Sequence, residues 1–108
     1  MNRRRWLQAV LARVHKLATE RRVRFTLKAL RELAALDIGL DEEDACHVLA
    51  NLAAGDFVER RVSKRTGEWM YIFKPSVGEL IVYLKLVLRG ECVVISFHEE
   101  EDRSDEDD

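Results

Sequence analysis

Apolar residues recur at three- and four-residue spacing through the first half of the chain and predict three amphipathic helices. The apolar stripe of the first helix spans residues 6–17. Thr26 is a residue type that caps helix amino termini, so the second helix should begin there and stop before Gly39. Asp41 is the predicted cap of the third helix, which should end before Gly55. The first half is therefore predicted to be helical.

After Gly55 the pattern changes to short runs of β-branched and aromatic residues separated by turn residues. These runs predict four strands, at residues 57–63, 69–74, 80–88 and 92–98. Turn sequences at residues 64–67 and 89–90 would join them into two hairpins. Helices followed by antiparallel strands predict an α+β fold, in which three N-terminal helices pack on one face of a C-terminal antiparallel sheet of about four strands.

The second hairpin predicts which side chains share a sheet face. A two-residue turn would pair Leu88 with Glu91 and would place Lys85 opposite Val94. Side-chain alternation then separates a polar face from an apolar face that the helices could cover. The polar face would carry Tyr83, Lys85, Ser96 and His98, and the apolar face Val82, Leu84, Leu86, Val93, Ile95 and Phe97. A two-residue shift of register would preserve this sorting, whereas a three-residue loop would break it.

The formal net charge of −2 is divided unevenly along the chain. The last ten residues hold eight acids and one base, a net of −7, which leaves +5 for residues 1–98. This pattern predicts a single domain over residues 1–98 and a disordered acidic tail over residues 99–108. The tail could simply aid solubility, or it could compete with a polyanion for the basic surface. A basic body favours nucleic acid as the partner.

Several classes of protein are excluded by the pattern of residues. The chain has no run of 18 or more apolar residues, the length that a transmembrane helix requires. Its amino terminus lacks the apolar core of a signal peptide, so a cytoplasmic protein is expected. Cys46 and Cys92 are far apart and have no Cys-x-x-Cys motif or Cys/His cluster beside them, which argues against a structural zinc site. Both are interpreted as buried free thiols.

Four segments of the chain carry a resemblance to a known family. They read D-F-V-E-R-R at 56–61, W-M-Y-I-F at 69–73, V-Y-L-K at 82–85 and V-V-I-S-F-H-E at 93–99. In order and spacing they resemble the MqsR-type toxins of bacterial toxin–antitoxin pairs, which read approximately D-F-Y-K-S-M, W-Q-D-V-Y, V-Y-L-K and V-V-S-F-K-E. These toxins belong to the RelE-like group of messenger-RNA endoribonucleases. The resemblance covers about residues 3–99.

The resemblance implies a RelE-like fold and a cytoplasmic toxin that cuts messenger RNA. It implies metal-independent cleavage without a cofactor, in which the 2′-hydroxyl of the RNA attacks the adjacent phosphate. Such a reaction needs a base, an acid and cations near the phosphate. It also implies a cognate antitoxin, with a zinc-binding amino-terminal part and a helix-turn-helix part, that holds the toxin inactive.

Position by position, the resemblance assigns function to Tyr83, which matches the tyrosine of the family. His98 stands where the family usually has lysine, Glu59 replaces another lysine, and Met70 replaces a glutamine. A glutamate base, a histidine acid and a nearby arginine are similar to the set of the related YoeB-type branch. The substitutions leave open a binding module that keeps the fold and has lost cleavage, acting through RNA or a protein partner.

The hypothesis for the site follows from these matches. Glu59 would accept the 2′-hydroxyl proton, His98 would protonate the leaving group, and Tyr83 would orient the phosphate. Arg60 and Lys85 would stabilise its charge. The cations expected to bind the RNA backbone are Arg61, Lys64, Arg65, Lys74 and Lys85.

Plainer interpretations of some of these residues remain open. Glu59 and Arg60 could instead be edge-strand charges that prevent aggregation. Trp69 and Tyr71 could stack on bases, or they could pack within the fold.

Overall fold

The computed structural model describes residues 4–100, in which the three predicted helices are confirmed. The helices are α1 (Arg5–Thr19), α2 (Leu27–Ala35) and α3 (Glu42–Ala50), followed by one 3-10 turn (Ala54–Asp56). Both predicted caps are also confirmed. The Thr26 hydroxyl accepts a hydrogen bond from the amide of Ala29, and Asp41 forms a reciprocal capping box with Asp44.

Within residues 4–100, the sheet contains the four predicted strands and two that the sequence pattern missed. In chain order the strands are β1 (Val23–Phe25), β2 (Phe57–Val62), β3 (Trp69–Phe73), β4 (Ser76–Val77), β5 (Leu80–Leu88) and β6 (Cys92–Glu99). Their spatial order is β1-β6-β5-β3-β2, and β4 pairs with β5. Because β1 runs parallel to β6, the prediction of a purely antiparallel sheet of about four strands was wrong. β1 and β4 are too short to produce a periodic signal.

One face of the sheet packs against the helices and forms the main core. Leu84 and Leu86 of β5 and Val94 and Phe97 of β6 are completely buried there, together with Val14 of α1. The interpretation of both cysteines as buried free thiols is confirmed, and burial raises the pKa of Cys92 to about 12.

The predicted acidic tail falls mainly on residues 101–108, which lie outside the described residues. Glu99 is the last residue of β6, and the amide of Glu100 donates a hydrogen bond to the carbonyl of Ile81 at 2.8 Å. The folded part therefore includes two residues that the sequence analysis assigned to the tail.

Helix α2 continues along the edge of β6 where β1 ends. The amide of Thr26 donates to the carbonyl of Val94 at 3.0 Å, and the amide of Phe97 donates to the carboxylate of Glu32 at 2.9 Å. Unpaired backbone groups at a sheet edge must find such partners when they are shielded from water. The start and the middle of α2 thus hold residues 94–97 of β6 in place.

We expect Thr26→Val to lower the free energy of unfolding by about 1 kcal/mol, the usual cost of losing a helix amino-terminal cap. Its hydroxyl is 3.1 Å from the amide of Ala29 and 3.4 Å from the carbonyl of Ile95, and valine keeps the shape but neither bond. Urea unfolding would measure the loss, with Thr26→Ser as the control that retains the hydroxyl. Equal stability of the two variants would contradict the cap.

A stack of aromatic rings and one guanidinium joins α1 to the outer strands. The guanidinium carbon of Arg60 lies 3.9 Å from the ring centroid of Trp6 and 4.0 Å from that of Trp69. Arg60 pairs with Tyr71, whose side chain is part of the main core, so Arg60 is on the helix-covered face of the sheet. For Tyr71 the packing interpretation is confirmed, and Trp69 packs on Arg60 while remaining partly exposed.

Replacing Arg60 with alanine should cost about 1 to 2 kcal/mol of stability, since two cation–π contacts are lost. Urea unfolding followed by tryptophan fluorescence measures this loss directly. Arg61→Ala is the matched control, because Arg61 points to the other face and forms an exposed ion pair of small energetic value. The stack would be energetically unimportant if both alanine variants unfolded at the same urea concentration.

Candidate active site

The site is set by the register between β5 and β6. Leu88 pairs with Cys92 and Leu86 with Val94, so the loop between the strands has three residues, 89–91. The predicted two-residue turn was therefore wrong. The extra residue places Val94 on the helix-covered face and Val93 on the opposite one, which reverses the prediction for this part of β6.

A β-bulge at Ile95 then restores the predicted sorting. Beyond the bulge Lys85 pairs with Ser96 and Tyr83 with His98, because Ile95 has no partner on β5. Loop and bulge together shift the register by two residues relative to the prediction. The structure therefore brings these four polar residues together on the face opposite the main core, as the sequence predicted.

Tyr83 and His98 form the centre of this polar face. Their rings are stacked, with centroids 5.0 Å apart and planes at 12°. Nδ1 of His98 lies 2.9 Å from the carbonyl oxygen of Glu99, to which its N–H can donate. With that hydrogen bond in place, Nε2 is the ring nitrogen left to gain or release a proton. Tyr83 is almost fully buried and His98 is half-buried, so the imidazole is the more accessible of the two rings.

Two lysines flank the stacked rings. Lys85 is 8% exposed, and it follows Tyr83 by two residues on β5, which places both side chains on the same face. Phe73 pairs with Leu84, and the amide of Val82 donates to the carbonyl of Pro75 at 2.9 Å, so the same register continues past β3 and places Lys74 beside Tyr83. The ammonium of Lys74 lies 3.0 Å from the carboxylate of Glu100, just beyond His98. The polar face thus holds a phenol, an imidazole and two ammonium groups, all within two adjacent rows of residues that pair across the strands.

Glu59 and Arg61 lie on the same face but nearer the sheet edge. Glu59 pairs with Ile72, which pairs with Lys85, so Glu59 is two strands away from β5, a separation of about 10 Å. Arg61 donates a hydrogen bond to Glu59 at 2.8 Å, and this ion pair lowers the pKa of the Glu59 carboxyl below its usual value of 4.5. Glu59 is accordingly an ionised carboxylate at neutral pH.

Three other predicted site residues are not at the stacked rings. Arg60 is on the helix-covered face, within the tryptophan stack, because adjacent residues of a strand point to opposite faces. Lys64 and Arg65 are exposed in the turn between β2 and β3. The turn lies beyond Trp69, which is five residues along the strand from Lys74. The turn is therefore at least roughly 17 Å from Lys74.

The sequence analysis missed Lys28. Its ammonium lies 2.9 Å from the hydroxyl of Ser96 and 2.8 Å from the carboxylate of Glu32. Lys28 and Ser96 are 68 residues apart in the chain, and no local pattern signals a contact over that separation. Met70, at the position of the family's glutamine, pairs with Arg61 and is half-buried on the polar face.

Two further observations concern residues 4–100 alone. None of their helices is long and apolar enough to cross a membrane. They contain no group of three or more histidine, cysteine, aspartate or glutamate side chains arranged to hold a metal ion.

Comparison with known proteins gives a consistent result. Residues 8–99 match a family model described as "Motility quorum-sensing regulator, toxin of MqsA". The chain is also 31% identical over 90 residues to the mRNA interferase toxin MqsR of Escherichia coli strain K12, and this match covers 82% of the chain and 90% of the relative. The matched range contains the positions of both residues of the ring stack and of both flanking lysines. The resemblance found in the sequence is confirmed, and this chain belongs to the MqsR family of toxins.

Proposed function

We propose that this toxin is an endoribonuclease that cleaves messenger RNA at the face carrying Tyr83 and His98. The observation that supports this most directly is the stack of these two rings, with Lys85 and Lys74 next to Tyr83 on the same face. An imidazole that can donate a proton and two cations that can bind a phosphate suit a phosphodiester substrate. The name of the E. coli relative, an mRNA interferase toxin, agrees with this chemistry.

The proposed reaction is attack of the 2′-oxygen on the neighbouring phosphorus. The bond from the 2′-oxygen to phosphorus forms, and the bond from phosphorus to the 5′-oxygen breaks. The protonated His98 donates a proton from Nε2 to the departing 5′-oxygen, and Glu59, which lies three strands from His98, accepts the 2′-hydroxyl proton through intervening water. The products are a 2′,3′-cyclic phosphate and a 5′-hydroxyl, with one proton gained by Glu59 and one lost by His98.

The cations of the proposed mechanism differ from those expected from sequence. Arg60 stacks between two tryptophans on the helix-covered face, so it has no role in the revised mechanism. In the revised mechanism Lys74, beside Tyr83, replaces Arg60 as a cation that stabilises the charge of the phosphate. Lys85 keeps the same role. Lys85 is nearly buried, and a charge in such a site acts on a phosphate more strongly than it would in water. Arg61 keeps Glu59 ionised.

The exposed cations of the β2–β3 hairpin extend the proposed RNA path away from the ring stack. Arg61 lies on the polar face, and Lys64 and Arg65 follow in the turn. Phosphate contacts of this kind release counterions, so RNA affinity should fall steeply with salt concentration.

The family implies a cognate antitoxin as the protein partner and RNA as the substrate. The proposal extends this in two ways. The antitoxin is of the type with a zinc-binding amino-terminal part and a helix-turn-helix part. The toxin works in the cytoplasm, where messenger RNA is available.

His98→Ala should lower the rate of RNA cleavage by about 10²-fold or more, the usual cost of losing a general acid. The assay is single-turnover cleavage of a defined RNA by the purified toxin in a chelator. His47→Ala is the matched control, because His47 is an exposed histidine of α3 paired with Glu43. Unchanged cleavage by the His98 variant would remove His98 from the mechanism. If the wild-type protein cleaved none of the RNAs tested, the nuclease function would be excluded, and the protein would be a binding module that keeps the toxin fold.

Glu59→Gln should also lower cleavage by about 10²-fold while RNA binding is retained, since glutamine cannot accept the proton. The pKa of Glu59 is lowered, so its carboxylate is ionised above pH 4.5, and loss of activity through its protonation occurs only at lower pH. The pH profile of single-turnover cleavage would therefore show no acidic limb from Glu59 between about pH 5 and 8. Glu79→Gln, an exposed position between β4 and β5, is the control. Wild-type cleavage by the Glu59 variant would require another base.

A further inference from the structure

Two strand connections lie side by side at one end of the sheet. The turn at residues 63–68 joins β2 to β3, and the loop at residues 89–91 joins β5 to β6. Because β3 pairs with β5, the two connections are neighbours, and the guanidinium of Arg89 donates to both carboxylate oxygens of Glu68 at 2.8 Å. These connections, together with the arginines that contact residues 89–91, are called the loop end below.

Two arginines from the helical half contact the β5–β6 loop. Arg13 of α1 donates to the carbonyl of Arg89. Arg22, which follows α1, donates to the carbonyl of Gly90 at 2.8 Å. A peptide carbonyl accepts a hydrogen bond without cancelling the charge, and each bond uses one of the five N–H donors of a guanidinium. Both arginines therefore remain cations with N–H donors that can reach a phosphate oxygen.

The backbone holds Arg22 in position. Its amide donates to the carbonyl of Leu17 at 2.8 Å, and its carbonyl accepts from the amide of Cys92 at 3.0 Å. Arg21 has a φ of 61°, the left-handed conformation that often ends a helix. The chain thus turns from α1 into β1 at Arg22, and the arginine is positioned before any ligand binds, which lowers the entropic cost of binding.

The loop end has a net charge of +4, since it contains six cations and two acids. The cations, all of them exposed, are Arg13, Arg22, Arg24, Lys64, Arg65 and Arg89, and the acids are Glu68 and Glu91. Two neighbouring ion pairs, Lys16 with Glu20 and Arg21 with Glu43, add no net charge. The positive charge of the loop end is therefore not cancelled by the ion pairs beside it.

The loop end continues from the polar face. Arg24 pairs in register with Val93, so its side chain lies on the face opposite the main core, where it donates to the carboxylate of Glu91 at 2.8 Å. Tyr83 and Arg89 are six residues apart along β5 and its end, a separation of about 20 Å. The loop end is too far from the ring stack to contact the phosphate that is cleaved, but an RNA strand that continues along the sheet reaches it.

The chemistry of the loop end suits a phosphate backbone better than a protein surface. Five of its six cations are arginines, whose planar guanidinium can donate two hydrogen bonds to one phosphate. The centre of a protein–protein interface is usually depleted in charged residues. A group of exposed guanidiniums with a net positive charge is instead typical of a nucleic-acid-binding surface.

We propose that the loop end binds the part of an RNA strand that extends beyond the cleaved linkage. The assignment of RNA as the ligand rests on the proposed function. The ring stack then cuts the strand, and the loop end adds affinity for long RNA. Arg13, Arg22 and Arg24 become phosphate-binding residues, although the sequence analysis assigned them to no site.

The test compares a short and a long RNA in the non-cleaving His98→Ala background. An RNA of about three nucleotides reaches only the ring stack, whereas one of about 16 nucleotides also reaches the loop end. Arg13→Gln combined with Arg22→Gln should weaken binding of the long RNA by about tenfold and lower its salt dependence by about two phosphate contacts. Binding of the short RNA should change by less than about twofold, because charges about 20 Å away are screened by salt.

The matched control removes two exposed cations that lie outside the loop end. Arg5→Gln combined with Arg31→Gln causes the same change of net charge, on α1 and α2. It should change the affinity for either RNA by less than about twofold. Equal affinity of the loop-end and control variants for the long RNA would overturn the proposal. So would an equal loss for both RNAs in the loop-end variant, since that pattern indicates a disturbed fold.

A second variant tests for a gain of binding, which a damaged fold does not produce. Glu91→Gln removes one of the two acids of the loop end and raises its net charge to +5. Binding of the long RNA should tighten by about threefold, and binding of the short RNA should stay the same. Unchanged binding of the long RNA by the Glu91 variant would contradict the proposed phosphate contacts.

The two proposals can fail separately. If the wild-type protein does not cut RNA but the effects confined to the long RNA persist, the loop end stands and the nuclease function fails. If the wild-type protein cuts RNA and the loop-end and control variants bind the long RNA alike, the nuclease function stands and the loop end fails.

Discussion

The bulge at Ile95 is the constraint on which the polar face depends. The three-residue loop between β5 and β6 shifts the strands by one residue, and a one-residue shift exchanges the two faces. Without the bulge, His98 and Tyr83 would not pair on the same face. With it, the loop and the bulge add to a two-residue shift, and the two rings stack. The bulge is held from outside by α2, through the amide of Thr26 and the carboxylate of Glu32.

The two faces of the sheet serve separate purposes. The helix-covered face is largely apolar, and the guanidinium of Arg60 on this face packs between two tryptophan rings. The opposite face concentrates the titratable and cationic groups. Its buried members, among them Ile72 and Val87, lie outside the main core and form an apolar surrounding for Lys85. This arrangement strengthens the action of a charge on a bound phosphate.

Much of this architecture could be predicted from local sequence. The helix caps at Thr26 and Asp41 and the four long strands follow from residue types and periodicity. The polar face was predicted correctly although the turn was not, because the loop and the bulge add to a two-residue shift, and such a shift keeps Ser96 and His98 on the predicted face. Placing Glu59 and Arg60 in one site conflicts with strand alternation, which sends neighbours to opposite faces. The contact of Lys28 with Ser96 depends on tertiary packing, and periodicity carries no information about it.

The most direct test of the account is the chemical nature of the RNA ends that the purified toxin produces in a chelator. Attack by the 2′-oxygen beside His98 predicts fragments that end in a 2′,3′-cyclic phosphate, each followed by a fragment that begins with a 5′-hydroxyl. Fragments with 3′-hydroxyl and 5′-phosphate ends would show that water, and not the neighbouring 2′-hydroxyl, attacks the phosphate. That result would contradict the mechanism assigned to the face of Tyr83 and His98.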